Sequence, residues 1–142
     1  DSNFKVNPPF RTQEDVDALW EGLVDGTIDV IVSDHNPQDE ESKKLEFDMA
    51  EFGVIGLETI FACVNTYNKE LSLEDIIEKI TDNPRKILRL KNPEIKEGEK
   101  ANLTVFSPNE KFVYEEKSIV SKSKNSPFIG KTLKGKVIKV VV

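Results

Sequence analysis

Chemistry-bearing side chains concentrate at Ser33-Asp34-His35. An acid and an imidazole follow the β-branched run Ile28 to Val32, so they stand where an apolar strand ends. In β/α barrels the active site lies at the C-terminal ends of the strands. A carboxylate there can hold a metal ion, or take a proton from a water that a metal has activated. The same pair also suits a helix cap or a surface loop. Asn7 stands at a second candidate strand end, just before Pro8-Pro9. Its carboxamide can donate and accept hydrogen bonds to an amide-like ligand; the alternative is a plain turn residue before proline. Gly53-Val54-Ile55-Gly56 precedes an apolar helix, where backbone N–H groups can meet an anion or a carbonyl. A simple helix entry explains the same glycines.

His35 is the only histidine. Catalytic zinc takes several His, Cys or carboxylate ligands. One histidine and one neighbouring aspartate cannot hold a two-metal centre. Either further ligands come from sequence outside these 142 residues, or there is no such centre.

The elements that must position these residues can be read from periodicity. Phe4 to Asn7 looks like a strand entered near its end. Thr12-Gln13-Glu14-Asp15 is a helix N-cap with an acid three residues on. Val16, Leu19, Trp20 and Leu23 follow at helical spacing, and Gly26 ends that helix. Ile28 to Val32 reads as a buried strand, and Asn36 to Lys44 as a polar loop. Gly53 to Gly56 is a turn and Leu57 to Tyr67 an apolar helix. Ser72-Leu73-Glu74-Asp75 caps another helix carrying Ile76, Ile77 and Ile80. Asn83-Pro84 breaks it, and Arg85 to Leu90 adds a last turn or two.

Beyond Leu90 the texture changes. Three strand candidates follow: Ala101 to Phe106, Lys111 to Tyr114, and Lys136 to Val142. A boundary is expected near Lys91, with the β-rich tail completing a sheet whose other strands lie elsewhere. Strand end, helix, strand, helix is the texture of an α/β fold, a β/α barrel or a doubly wound sheet. Two parallel strands cannot bury both faces, so the piece is expected to need upstream partners and not to stand as an isolated monomer.

Composition narrows the partners. The formal net charge is -6, which repels phosphate backbones, so no nucleic-acid binding is expected. Lys122, Lys124, Lys131, Lys134 and Lys136 read as a solvated face. No apolar run approaches ~20 residues, so no membrane-spanning helix is expected. The opening residues lack the basic start and apolar centre of a signal peptide. The single cysteine, Cys63, excludes an internal disulfide and fits a reducing cytoplasm. It sits in Ile60 to Val64 and reads as a core residue.

Several ordered segments resemble the dihydroorotases. Lys5-Val6-Asn7-Pro8-Pro9-Phe10-Arg11 is similar to their KVNPPLR segment. Asp25-Gly26-Thr27-Ile28-Asp29 followed by Ser33-Asp34-His35-Asn36-Pro37 resembles DGTID and TDHAPH. Gly53 to Thr59 resembles a G(I/F)xGLET turn. Ala101 to Phe106 and Ser121 to Phe128 resemble ADLVVF and SKSKNTPF. The resemblance implies a metal-dependent cyclic amidohydrolase on a (β/α)8 barrel of the TIM type, flanked by a small β domain. Residues 1–90 would be the C-terminal part of the barrel, and residues 91–142 would contribute to the flanking domain. The implied reaction interconverts dihydroorotate and N-carbamoyl-aspartate in pyrimidine synthesis, with one or two zinc ions. Asp34 matches the catalytic aspartate, which also touches the metal. Asn7 matches a substrate contact, and Ile55 and Gly56 match a turn whose backbone meets the pyrimidine ring. The implied partners are the small-molecule substrate, the N-terminal part of the same protein, and further copies in a homo-oligomer.

Two departures stand out. The family's His-x-His pair, bridging lysine and upstream arginine motif are not in this chain. The second histidine of DHAPH, a substrate contact, is Gln38 here, which hydrogen-bonds but does not titrate near neutral pH. The alternative is therefore a catalytically inactive dihydroorotase-like subunit that scaffolds a partner enzyme.

Overall fold

Thr12 and Ser72 start two helices by the same device. The computed structural model describes residues 1–142. Helix α1 (Gln13–Asp25) begins where the Thr12 hydroxyl accepts the Asp15 N–H and the Asp15 carboxylate accepts the Thr12 N–H. Ser72 and Asp75 repeat this box at helix α4 (Leu73–Ile80). Each box satisfies donors that a helix N-terminus leaves orphaned. Gly26, at φ 83°, ends α1 in the left-handed region that glycine enters without a Cβ penalty.

The two helices are buried differently. Ile76 of α4 is fully enclosed. The Lys79 ammonium donates to the Ile28 carbonyl (2.8 Å), and the Ile31 N–H donates to the Lys79 carbonyl (3.1 Å). Helix α1 buries no residue completely, and Val16, Leu19 and Val24 of its apolar stripe face solvent. Helix α5 (Asp82–Ile87) follows α4 directly and carries Pro84 in its first turn, where a missing N–H does no harm. Asn83-Pro84 therefore sits inside a helix start and does not end one.

Helix α3 (Ile60–Tyr67) lies against a hairpin of two long antiparallel strands, β1 (Leu103–Val113) and β2 (Thr132–Val141). The Asn65 amide donates to the carbonyls of Pro108 and Lys134, and the Lys134 N–H donates to the Thr66 hydroxyl. Phe61 meets Phe106 edge to face at 4.8 Å. Phe61 also lies over Gly135, where a Cβ would come within 2.7 Å of its ring. The main core joins both parts of the chain: Ile55 and Ala62 pack with Tyr114, Ile119 and Leu133.

Several expectations are corrected. Phe4 is not in a strand: Ser2–Phe4 is a 3-10 turn capped by the Asp1 carboxylate. Residues 28–32 are extended but join no sheet, because the hairpin is the only sheet and no other strand lies beside them; beyond it only a bridge between His35 and Val54 forms. The polar loop contains a one-turn helix, α2 (Glu40–Lys43), capped by Asp39. Ala101 to Phe106 and Lys111 to Tyr114 fuse into β1, with a bulge between Ser107 and Lys111 that accommodates Pro108. Strand β2 starts at Thr132, earlier than expected, because Leu133 is a core residue. No helix is long and apolar enough to cross a membrane.

Candidate active site

Asp34 ends the extended segment with φ at 42°. This left-handed conformation is uncommon for residues other than glycine, although aspartate tolerates it better than most. The side chain is exposed and receives no hydrogen bond within the chain. It lines a cleft of about 600 Å3 together with Asn7, Ile31, Phe52, Gly56 and Cys63. Thus three of the residues singled out in the sequence, Asn7, Asp34 and Gly56, share one cavity.

Two close backbone approaches hold this geometry. A Cβ on Gly56 would lie 2.5 Å from the Ser33 carbonyl oxygen. A Cβ on Gly53, whose φ is 141°, would lie 2.6 Å from the Asn36 carbonyl oxygen. Only glycine lets the 53–56 turn rest directly on the segment bearing Asp34. His35 stitches the same contact: its Nδ1 accepts the N–H groups of Gly56 (3.1 Å) and Leu57 (3.3 Å). Nδ1 therefore acts as an acceptor here. His35 is a strut within the site, committed to the turn.

The turn presents different groups from those expected. The Gly53 N–H donates to Lys5, the Ile55 N–H to Asn125, and the Gly56 N–H to His35. These donors are consumed inside the chain, so they form no open anion nest. The Ile55 carbonyl accepts no donor within the chain, while the Ile55 side chain is core and 2% exposed. Gln38 is not brought to the cleft with Asp34. Its side-chain amide donates to Asn36 Oδ1 (3.1 Å) and to the Phe52 carbonyl (3.0 Å), and it borders a separate polar depression with Asp39 and Lys43.

Two residues that the sequence reading passed over anchor these loops. Lys43 is buried, and its ammonium donates to the carbonyls of Glu51 (2.8 Å) and Gly53 (3.2 Å). Desolvation, then the nearby Lys5 charge, pulls its pKa down. Asn125, also buried, bonds both the 36–38 loop and the 53–55 turn. It lies in the Ser121 to Phe128 segment, but no local pattern reveals partners more than seventy residues away. Cys63 lies at the cleft wall with its thiol pushed up to about 11 by burial, which makes it a poor nucleophile at neutral pH.

The residues present do not complete a metal site, since no group of three or more His, Cys, Asp or Glu side chains converges. One ligand is on offer: the unpaired Asp34 carboxylate.

Residues 6–142 match the model of the amidohydrolase family. A dihydroorotase from Caldicellulosiruptor saccharolyticus is 48% identical over 143 residues, covering 99% of this chain and 33% of that protein. One from Endomicrobium trichonymphae is 46% identical over 145 residues, covering 99% of this chain and 34% of that protein. Among solved structures, the L-hydantoinase (dihydropyrimidinase) of Arthrobacter aurescens superposes with a TM-score of 0.84 at 29% identity, covering 97% of this chain and 32% of its own. The chain thus spans about a third of the length of the curated relatives it matches. A match from Val6 to the last residue, and close likeness to two proteins named dihydroorotase, leave one conclusion: this chain belongs to the amidohydrolase family.

Proposed function

We propose that this chain is the C-terminal third of a dihydroorotase-type cyclic amidohydrolase, with residues 1–90 completing a TIM-type barrel and residues 91–142 contributing to a flanking β domain. The reaction is the reversible opening of dihydroorotate to N-carbamoyl-aspartate, as in pyrimidine synthesis. The observation that carries this reading is the Asp34 carboxylate: free of internal partners, held at positive φ, and lining one cleft with Asn7 and Gly56.

In this reading Asp34 is the general base. It takes a proton from the attacking water and returns it to the ring nitrogen as the C–N bond breaks, so the carboxylate is regenerated each turn. Asn7 hydrogen-bonds the ring amide or the carboxylate arm through its carboxamide. At the Gly turn the Ile55 carbonyl, which accepts no donor within the chain, would offer an acceptor for a ring N–H, and Gly56 lets the turn rest on the Ser33 backbone beside Asp34. Asp34 would be one ligand of one or two zinc ions, with the others coming from the N-terminal part; such an ion would supply Lewis acidity. A homo-oligomer is part of the same proposal.

A second reading has one observation in its favour. Gln38 replaces a titratable side chain, and its amide is tied to Asn36 and Phe52 at the cleft wall without lining the cleft itself, which suits an inactive scaffold subunit. One experiment separates the two. Asp34→Ala in the full-length protein should lower turnover of N-carbamoyl-aspartate by a factor on the order of 10² or more. Turnover equal to the parent's would remove Asp34 from the mechanism, and a parent with no turnover when loaded with zinc would favour the scaffold.

A further inference from the structure

Asn125 is 4% exposed, and both donors and the oxygen of its side chain are engaged. Oδ1 accepts the Gln38 N–H (3.2 Å). Nδ2 donates to the Asn36 carbonyl (3.0 Å) and to the Gly53 carbonyl (3.1 Å). Its own backbone carbonyl accepts the Ile55 N–H (3.1 Å). One residue from the β-rich tail thus bonds the loop after Asp34 on one side and the Gly53–Gly56 turn on the other. No other residue joins these two segments to the tail through so many bonds. The requirement is chemically narrow. Aspartate would set a carboxylate oxygen against two carbonyl oxygens, and alanine would strip the Asn36 carbonyl of the donor that Asn125 supplies.

We infer that Asn125 is a positioning residue: it fixes the loop carrying Asp34 against the glycine turn, and so sets the place of the base in the cleft. The inference rests on the function proposed above. Asn125 touches neither Asp34 nor the cleft, so it acts only through the loops. Displacing a catalytic group by about 1 Å costs on the order of 10²-fold in rate. Of the two substrate contacts proposed above, Asn7 reaches the cleft from a segment that Asn125 does not bond, whereas the Ile55 carbonyl lies on the turn that it does bond, so KM is expected to rise by a smaller factor than kcat falls.

The test uses the full-length protein with Asn125→Ala and Asn125→Asp. Hydrogen exchange is read at Gln38 and Ile55, with helix α4 as internal reference, and kcat and KM are expressed per folded molecule. The expected result has three parts. Exchange in both loops rises about tenfold or more over α4. The kcat value falls on the order of 10²-fold, and KM rises by a smaller factor. A residue with a merely structural role would reduce the folded fraction and leave kcat per folded molecule intact; a kcat within about twofold of the parent, or loops as protected as the parent's, overturns the inference. The isosteric aspartate variant serves if the alanine variant does not fold. If the unmutated protein opens no cyclic amide, the proposed reaction fails instead, and exchange alone decides whether Asn125 holds the loops.

Discussion

The hairpin β1–β2 and the segment 28–34 are both extended and both rich in β-branched residues, yet they are secured in different ways. The hairpin satisfies its backbone by pairing along its length and seals Leu133 and Tyr114 beneath α3. The segment bearing Asp34 has no ladder. It is held from the side, by Lys79 from α4, by His35 against the Gly turn, and through Asn36 by Asn125. The comparison teaches that the candidate site lies outside the paired and sealed part of the chain. The candidate site rests on polar ties and close backbone contacts instead of a sealed apolar core.

The largest expected effect tests the hairpin. Leu133 is fully buried, so Leu133→Ala should cost about 2–5 kcal/mol in chemical denaturation; a loss below about 1 kcal/mol would show that the hairpin does not anchor the fold. Next comes the close contact that replaces a ladder at the site. Gly56→Ala drives a Cβ onto the Ser33 carbonyl and should cost about 1–3 kcal/mol. A silent substitution would mean that the turn does not rest on the Asp34 segment. Val32 sharpens the contrast from the other side, since it is 72% exposed. Val32→Ala should change the stability of this chain by less than about 0.5 kcal/mol. The same change in a longer protein that covers the segment should cost clearly more, and equal costs in both would argue against a strand partner.

The smallest effect concerns the helix that supports the segment. The side-chain and then the backbone hydrogen bond from Ser72 hold the Asp75 carboxyl below its ordinary value of 3.8. A carboxyl whose folded pKa is depressed adds stability above its unfolded value and loses it as pH falls through the folded one. Stability measured downward from about pH 5 should therefore decline below 3.8 by a step that Asp75→Asn lacks. An unchanged slope in that variant would show that this cap contributes nothing to the acid response.

What the sequence disclosed follows from the range of each interaction. The capping boxes at Thr12 and Ser72, the Gly26 stop and the Gly53–Gly56 turn are local chemistry, and each lies where its residues indicate. Asn7, Asp34 and Gly56 line one cleft. Residues 28–32 read as a strand because β-branched patterning records a tendency, whereas pairing needs a neighbour. The bulge that lets β1 pass through Pro108 has no sequence signal beyond the proline itself, which reads as a break. Gln38 looked like a cleft residue by its place in a motif, but its amide is consumed by Asn36 and Phe52. Asn125 acts across long stretches of chain, where spacing carries no information, and Lys43 bonds backbone carbonyls, which leave no side-chain pattern to read.

The contact between Gly56 and Ser33 has a mechanical side. The Gly56 carbonyl accepts the Ile60 N–H and so opens α3, while the face of the same residue bears on the Ser33 backbone. No side chain separates them, so the Ser33 backbone bears directly on the residue that opens α3. Asn65 and Thr66 of that helix then bond the hairpin. The peptide next to the acid and the distant β ribbon are thus joined by an unbroken series of direct contacts.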